Sequence, residues 1–309
     1  MEIATRRKGN GALSRYRRAE MWAGYLCIAP WLISFIVLTA GAMLFGLMLA
    51  FFETDLLSEF TFVGLRNFGS LFTDELFKKS LYNTAYYTFT TVPLSTLSAF
   101  IMALILNQGV WGQGIFRTIY YLPSVVSGVA VSIIWIWLFS PQKGLINAFL
   151  SIFGISPGPR WFYSEEWAMP GLIIMSLWGV GGAMLIYLAG LQGIPKELYE
   201  AVDIDGAGPF RRLINITVPL MTPTIFFNVI MNIIGSFQVF TSAFIATDGG
   251  PNNATLTLVL YLYRKGFQQF RFGYASAVSW ALLVIILLFT ALVFRSSSVW
   301  VYYESELRK

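Results

Sequence analysis

The chain is 309 residues long, 56% hydrophobic and 12% charged, with a formal net charge of +5 and a mean hydropathy of +0.65. Soluble domains carry roughly a quarter charged residues, so half that share points to lipid as the main solvent. Histidine is absent and Cys27 is the single cysteine, which excludes an internal disulfide and any Cys/His zinc site.

In chain order, apolar stretches long enough to cross a bilayer, which takes about 20 residues, fall at 22–52, 81–107, 117–139, 167–191, 219–246 and 273–295. They predict an all-α membrane protein of about six transmembrane helices. The first stretch follows the basic cluster Arg6, Arg7, Lys8, Arg15, Arg17 and Arg18. It runs about twice the length of a signal-peptide core and no small-x-small site closes it, so it reads as an uncleaved span. Residues 1–21 and 296–309 are then tails.

Charge orients these spans. With the N-terminus inside, segments 1–21, 108–117, 192–218 and 295–309 hold 13 of the 21 Lys and Arg residues. The outer segments hold Arg66, Lys78, Lys79, Lys143, Arg160, Arg264, Lys265 and Arg271, balanced by an equal number of acids. The surplus of positive charge lies inside, with both termini cytoplasmic. It sets topology, so the basic balance does not signal a nucleic-acid partner.

Between their ends the spans carry no Asp, Glu, Lys or Arg. Ion-coupled carriers keep ionisable groups within the membrane, and no G-x-x-x-x-G-K-[ST] loop is present to cradle ATP. The chain therefore reads as no enzyme, and as a transport subunit driven from elsewhere. What the spans do offer is neutral. The third holds Ser127, Ser132, Trp135 and Trp137; the fourth holds Ser176, Trp178 and Tyr187 around Gly179, Gly181 and Gly182. The fifth holds Thr222, Thr224, Asn228, Asn232, Ser236, Gln238 and Thr241. Asn228, Asn232 and Ser236 are four apart, on one helix face. Amides bond hydroxyls and rings stack on sugar faces, so Asn228, Asn232, Ser236, Gln238, Trp178 and Tyr187 are candidates for a path taken by an uncharged polyhydroxylated solute. The alternative role for the same residues is interhelical glue. Pro93, Pro123, Gly128, Pro223 and Gly235 interrupt spans, either as bends or as static kinks.

The polar island at 192–218 is the other informative stretch. Pro195 suits a first helical turn, and Leu198, Ala201 and Val202 predict a narrow apolar stripe. Asp205-Gly206 breaks that helix, Pro209 opens a second with Arg211 and Arg212 in its first turn, and Pro219 marks the return to lipid. Ala201, Gly206, Ala207 and Gly208 are small enough to insert into another protein's groove, and Glu200 offers an anchor for a partner arginine. An ordinary ordered loop is the simpler alternative.

The run Leu191-Gln192-Gly193-Ile194-Pro195-x-Glu197-Leu198-Tyr199-Glu200-Ala201-x-x-Ile204-Asp205-Gly206-Ala207 resembles the "EAA" coupling loop of ATP-binding-cassette importer permeases, in particular the maltose/glycerol-phosphate-type sugar permeases. Further stretches resemble the same family. They are Val63-Gly64-Leu65-x-Asn67-Phe68, Trp137-Leu138-Phe139-x-Pro141-x-x-Gly144-Leu145-x-Asn147, Gly249-Gly250-Pro251-x-x-x-Thr255 with Tyr261, Tyr263 and Phe267, and Gly273-Tyr274-Ala275-Ser276-Ala277-x-Ser279. The resemblance spans about residues 20–295. It implies a type I importer fold in a bacterial or archaeal cytoplasmic membrane. It also implies a second permease subunit, two ATPase subunits that use ATP and magnesium, and an extracytoplasmic solute-binding protein that delivers a carbohydrate. Carried onto this chain, Glu200, Ala201, Asp205, Gly206 and Ala207 would couple to the ATPase, with no cofactor bound here. Val202 departs from the family's usual second alanine. Competing expectations are a passive channel for small neutral solutes, or the same importer architecture for a sugar phosphate or other polar solute.

Overall fold

A computed structural model describes residues 10–302 apart from Ser58 and Val110, with side chains described from Tyr16 onward. Arg6, Arg7 and Lys8 of the basic tail, and residues 303–309 of the C-terminal tail, lie outside the described residues.

Helix α1 (Asn10–Ser34) continues through a π-helical stretch, Phe35–Ala40, into α2 (Gly41–Leu49). This apolar rod is almost wholly unburied, as expected of a span that meets lipid. A two-stranded antiparallel hairpin follows, β1 (Phe52–Glu53) with β2 (Thr61–Phe62), then the short α3 (Arg66–Leu71). Helix α4 (Glu75–Asn107) is 33 residues long and is capped by Asp74, whose carboxylate accepts from the Leu76 and Phe77 amides.

The segment expected as a third span is built from two helices, α5 (Gln113–Val125) and α6 (Gly128–Leu138), that meet at 101°. Pro123 sits in the last turn of α5, and Val126 and Ser127 are extended, so the hydrogen-bond ladder stops there. An amphipathic helix, α7 (Leu145–Ile152), leads through a 3-10 turn at Trp161–Tyr163 to α8 (Glu165–Leu177) and α9 (Gly181–Gln192). These last two are bent by 45° at Trp178–Val180, beside the glycines of that stretch. Gly181 has a steric duty: a Cβ there would overlap the Tyr120 carbonyl of α5.

The polar island forms α10 (Lys196–Ile204) and α11 (Pro209–Arg212). A π-helical stretch, Leu213–Thr217, joins α11 to α12 (Val218–Phe237) without a break, so Pro209–Phe237 is one helical rod of 29 residues. The helix ends earlier than the apolar run suggests: Gln238–Phe240 interrupt it before α13 (Thr241–Ala246). Helix α14 (Leu258–Tyr263) and a π stretch, Arg264–Gln268, precede α15 (Phe272–Trp300). Among the described residues four helices are long and apolar enough to cross a membrane, and six if each bent pair counts as one span.

Helix α4 is the central post, packing against α8, α9, α12 and α14. Its Ala99 and Ala103 are fully buried one turn apart, which lets α9 approach closely. That contact belongs to one hydrophobic cluster, with Leu106, Met184, Leu188 and Met221. A larger cluster around Phe139, Leu172, Phe237, Tyr261 and Val278 fills the other end.

Candidate functional site

Two spans are interrupted, at the α5–α6 break and the α8–α9 bend, and two carry polar side chains, Thr91 on α4 and Asn232 on α12. They meet around two adjoining cavities. The first, of about 280 Å³, is lined by Thr91, Ser95, Ser176, Gly179, Asn232 and Ser236. The second, of about 400 Å³, shares Ser176, Gly179 and Val239 with it and reaches Ser124, Gly128, Ser132, Trp178 and Thr241 at the α5–α6 break. No Asp, Glu, Lys or Arg among the described residues lines either one.

The hydrogen bonds show what these walls offer. Ser95, Ser176 and Ser236 donate to the carbonyls of Val92, Ile173 and Ile233 on their own helices, and Ser132 donates to Gly128. Their oxygens keep lone pairs free to accept. The Asn232 Nδ2 group is buried and donates to no group among the described residues. Such a wall suits hydroxyl groups, which both donate and accept.

Of the residues picked from sequence, Asn232 and Ser236 line the first cavity and Trp178 the second. Asn228 lines neither: it is buried, and its Nδ2 donates to the Thr224 carbonyl at 2.9 Å. Four-residue steps drift by about 40° each around a helix, so one end of the Asn228–Ser236 face is turned into packing. Tyr187 is buried edge-on against Phe100 in the α4–α9 cluster, and Gln238 is exposed past the end of α12. Thr91 and Ser95 were missed by the sequence reading. Their signal was the spacing Thr84, Thr88, Thr91, Ser95, a polar stripe on one face of α4, four buried side chains long.

Away from these cavities, one end of the bundle is tied down by polar contacts. The Asp74 carboxylate accepts from the Tyr261 hydroxyl and, at 2.8 Å, from the Tyr274 hydroxyl, joining α4 to α14 and α15. Burial pushes the Asp74 pKa up, but the bonds from Tyr261, Tyr274, Phe77 and Leu76 outweigh it and hold the carboxyl below its ordinary 3.8. Burial and then the bond to Asp74 push the Tyr261 hydroxyl up. Lys265 Nζ lies over the Tyr261 ring at 5.3 Å. Nearby, Asn83 donates to the carbonyls of Asn253 and Leu256, and Thr255 donates to Gly250, which pins the Gly249–Thr255 loop onto α4.

At the opposite end of the rod, Gly206 adopts a left-handed φ of 75°. The Gly206 amide then donates to Asp203 O and the Ala207 amide to Val202 O, closing the end of α10. Arg212 pairs with Asp203 at 3.1 Å and lies over the Tyr199 ring at 5.1 Å. The Tyr199 hydroxyl meets Thr217 Oγ1 at 3.1 Å. Helix α10 is thereby braced against the start of the rod. The expected stripe of Leu198, Ala201 and Val202 is not the packing face: Leu198 and Ala201 are exposed, and Tyr199 with Val202 turns inward instead. An aromatic ring under a guanidinium replaces aliphatic packing there. Glu200, Asp205 and Gly206 are exposed and Ala207 half-buried, while Ile204 is 87% and Phe210 71% exposed.

A multi-pass helical bundle with a neutral polar cavity between its spans and a braced loop at one end is a membrane permease. Residues 92–299 match the family of binding-protein-dependent transport system inner membrane components, and the chain belongs to that family. It is 42% identical to the probable ABC transporter permease protein YesP of Bacillus subtilis, over 96% of this chain and 99% of that one. It is 34% identical to the arabinooligosaccharides transport system permease protein AraP of B. subtilis, covering 86% of this chain and 85% of the other. The sn-glycerol-3-phosphate transport system permease protein UgpA of Shigella flexneri is 35% identical, over 93% and 96%. In structure the chain is similar to a bacterial ABC transporter involved in import of the acidic polysaccharide alginate, with a TM-score of 0.81, 25% identity and coverage of 93% and 98%. Members of the family are transport subunits rather than enzymes, ATP being hydrolysed by separate ATPase subunits.

Proposed function

We propose that this chain is one of two permease subunits in an ATP-driven importer that carries a carbohydrate. An extracytoplasmic binding protein hands the solute over, and one of two ATPase subunits, which use ATP and magnesium, docks on the island at 192–218. The observation that carries this reading is the uncharged cavity pair, whose serine oxygens and free Asn232 amide complement hydroxyl groups. Two relatives point to oligosaccharide cargo: AraP is a permease for arabinooligosaccharides, and the alginate transporter has been seen with a pentasaccharide-bound periplasmic protein. A sugar phosphate, suggested by the UgpA likeness, finds no lysine or arginine on the cavity walls.

Coupling rests on the exposed surface of α10. Glu200 anchors a partner arginine, Ala201 and Gly206 allow close approach, and Ile204 supplies an apolar knob. Asp205 and Ala207 complete the turn. Motion of the ATPases would tilt the braced island and switch the cavity between the two faces. The excess of Lys and Arg in the tails and the island supports an orientation in which both termini and the island lie on the cytoplasmic side of a bacterial or archaeal membrane.

The test is uptake of labelled oligosaccharide into proteoliposomes holding this chain with its partner permease and ATPases. Uptake should require both ATP and the binding protein. Downhill movement of the sugar through the two permeases alone would overturn the proposal in favour of a passive channel.

A further inference from the structure

A cavity of about 740 Å³ lies between α10, α11 and the ends of α4 and α9. It is unlike the two described above. Lys196 and Arg212 line it and no acid does, and Asn107, Gln108 and Gln192 supply amides. The side chains of Lys196, Asn107, Gln108 and Gln192 make no hydrogen bond or ion pair with another described residue. Arg212 gives NH1 to Asp203, which leaves other guanidinium N–H groups for a ligand. The remaining wall is apolar, with Leu104, Leu191 and Phe210.

Its place in the fold narrows the ligand. Helix α4 ends at Asn107, α9 ends at Gln192, and the fifth span begins just after Thr217. All three lie where apolar runs give way to polar sequence. On the orientation argued under Proposed function, on which this inference rests, that is the inner rim of the membrane, where anionic phospholipids present phosphate. Lys196 and the N–H groups of Arg212 not spent on Asp203 meet the phosphate, free amides meet glycerol hydroxyls, and the apolar wall meets the start of the acyl chains.

We infer that this cavity binds a phosphate group carrying a hydroxyl-bearing headgroup, supplied by an anionic phospholipid such as phosphatidylglycerol. The headgroup sits between α10 and the ends of the spans, and thereby seats the coupling helix on the membrane. A free soluble phosphate has the same chemistry, so the test separates the two sources.

The full importer is placed in nanodiscs of phosphatidylcholine, with or without phosphatidylglycerol. Acetylation of Lys196 by an N-hydroxysuccinimide ester is followed by peptide mass spectrometry, with the exposed Lys79 and Lys143 as references. Phosphatidylglycerol should slow Lys196 about fivefold relative to the references, the share expected for one lysine at an anionic surface. In native mass spectrometry, Lys196→Gln should retain less phosphatidylglycerol than the wild type. Protection by inorganic phosphate in phosphatidylcholine discs, without protection by the lipid, would assign the site to a soluble phosphate. Protection by neither overturns the inference. Binding-protein-dependent uptake is measured on the same preparations: intact uptake without protection sinks the phosphate site alone, whereas lost uptake sinks the importer reading.

Discussion

Asn228 and Asn232 sit one helical turn apart and do different work. Asn228 is bonded to its own helix backbone, whereas the Asn232 Nδ2 group is buried with no partner among the described residues. Asn232→Ala should therefore leave thermal stability unchanged and raise the KM for uptake severalfold, since one neutral hydrogen bond contributes about 1 kcal/mol. Asn228→Ala should do the reverse, with a small loss of stability and normal uptake kinetics. A matching uptake defect in both variants would show that the whole face lines the path. Gly273 makes a different demand, because a Cβ there would overlap the Phe52 carbonyl oxygen of β1. Gly273→Ala should destabilise by about 1–3 kcal/mol through overpacking, read as a lower melting temperature in detergent.

Among the elements, the junction of α4 with α14 and α15 is held by a carboxylate whose folded pKa lies below 3.8. A depressed carboxyl pKa contributes stability that is present above the unfolded value and is lost as pH falls through the folded one. Asp74→Asn should thus melt below the wild type at neutral pH, and the gap should close only below pH 3.8. A gap that closes well above that value would contradict the bonded carboxylate. At the other end, Arg212→Ala removes both the ion pair to Asp203 and the stack on Tyr199. That pair is partly exposed, so the cost in overall stability is small. The expected loss is in coupling: ATP hydrolysis persists and uptake per ATP falls.

The same elements show what could be read from the residues alone. Long apolar runs with charge only at their ends marked the spans, because lipid leaves the backbone few alternatives to helix. Pro123 and Gly128 marked the third span as interrupted, yet a 101° break and a static kink look alike in sequence, since the angle is set by α9 and α13 packing against the two halves. The island's helix and its glycine turn were legible from Pro195 and Gly206. Its packing face was not, because apolar periodicity does not register a tyrosine pressed under an arginine. The cavity was half legible: Asn232, Ser236 and Trp178 stood out as polar or aromatic residues in apolar runs. Thr91 and Ser95 did not stand out, because the cavity they line exists only where α8 and α12 close around them.

For the whole molecule, the coupling reading predicts that Gly206→Leu abolishes solute-stimulated ATP hydrolysis in the assembled importer while the chain still inserts. A leucine at φ 75° is strained, and it adds bulk to the exposed turn. Normal uptake in that variant would show that the turn transmits nothing. The unbroken rod from Pro209 to Phe237 carries Arg212 near one end and Asn232 near the other. One continuous helix, with a π-helical stretch and Pro223 along its length, thus touches both the brace of the island and the wall of the cavity. Linkage then requires reciprocity: whatever the state of the docked partner does to the affinity for cargo, cargo must do to the partner's grip by the same factor.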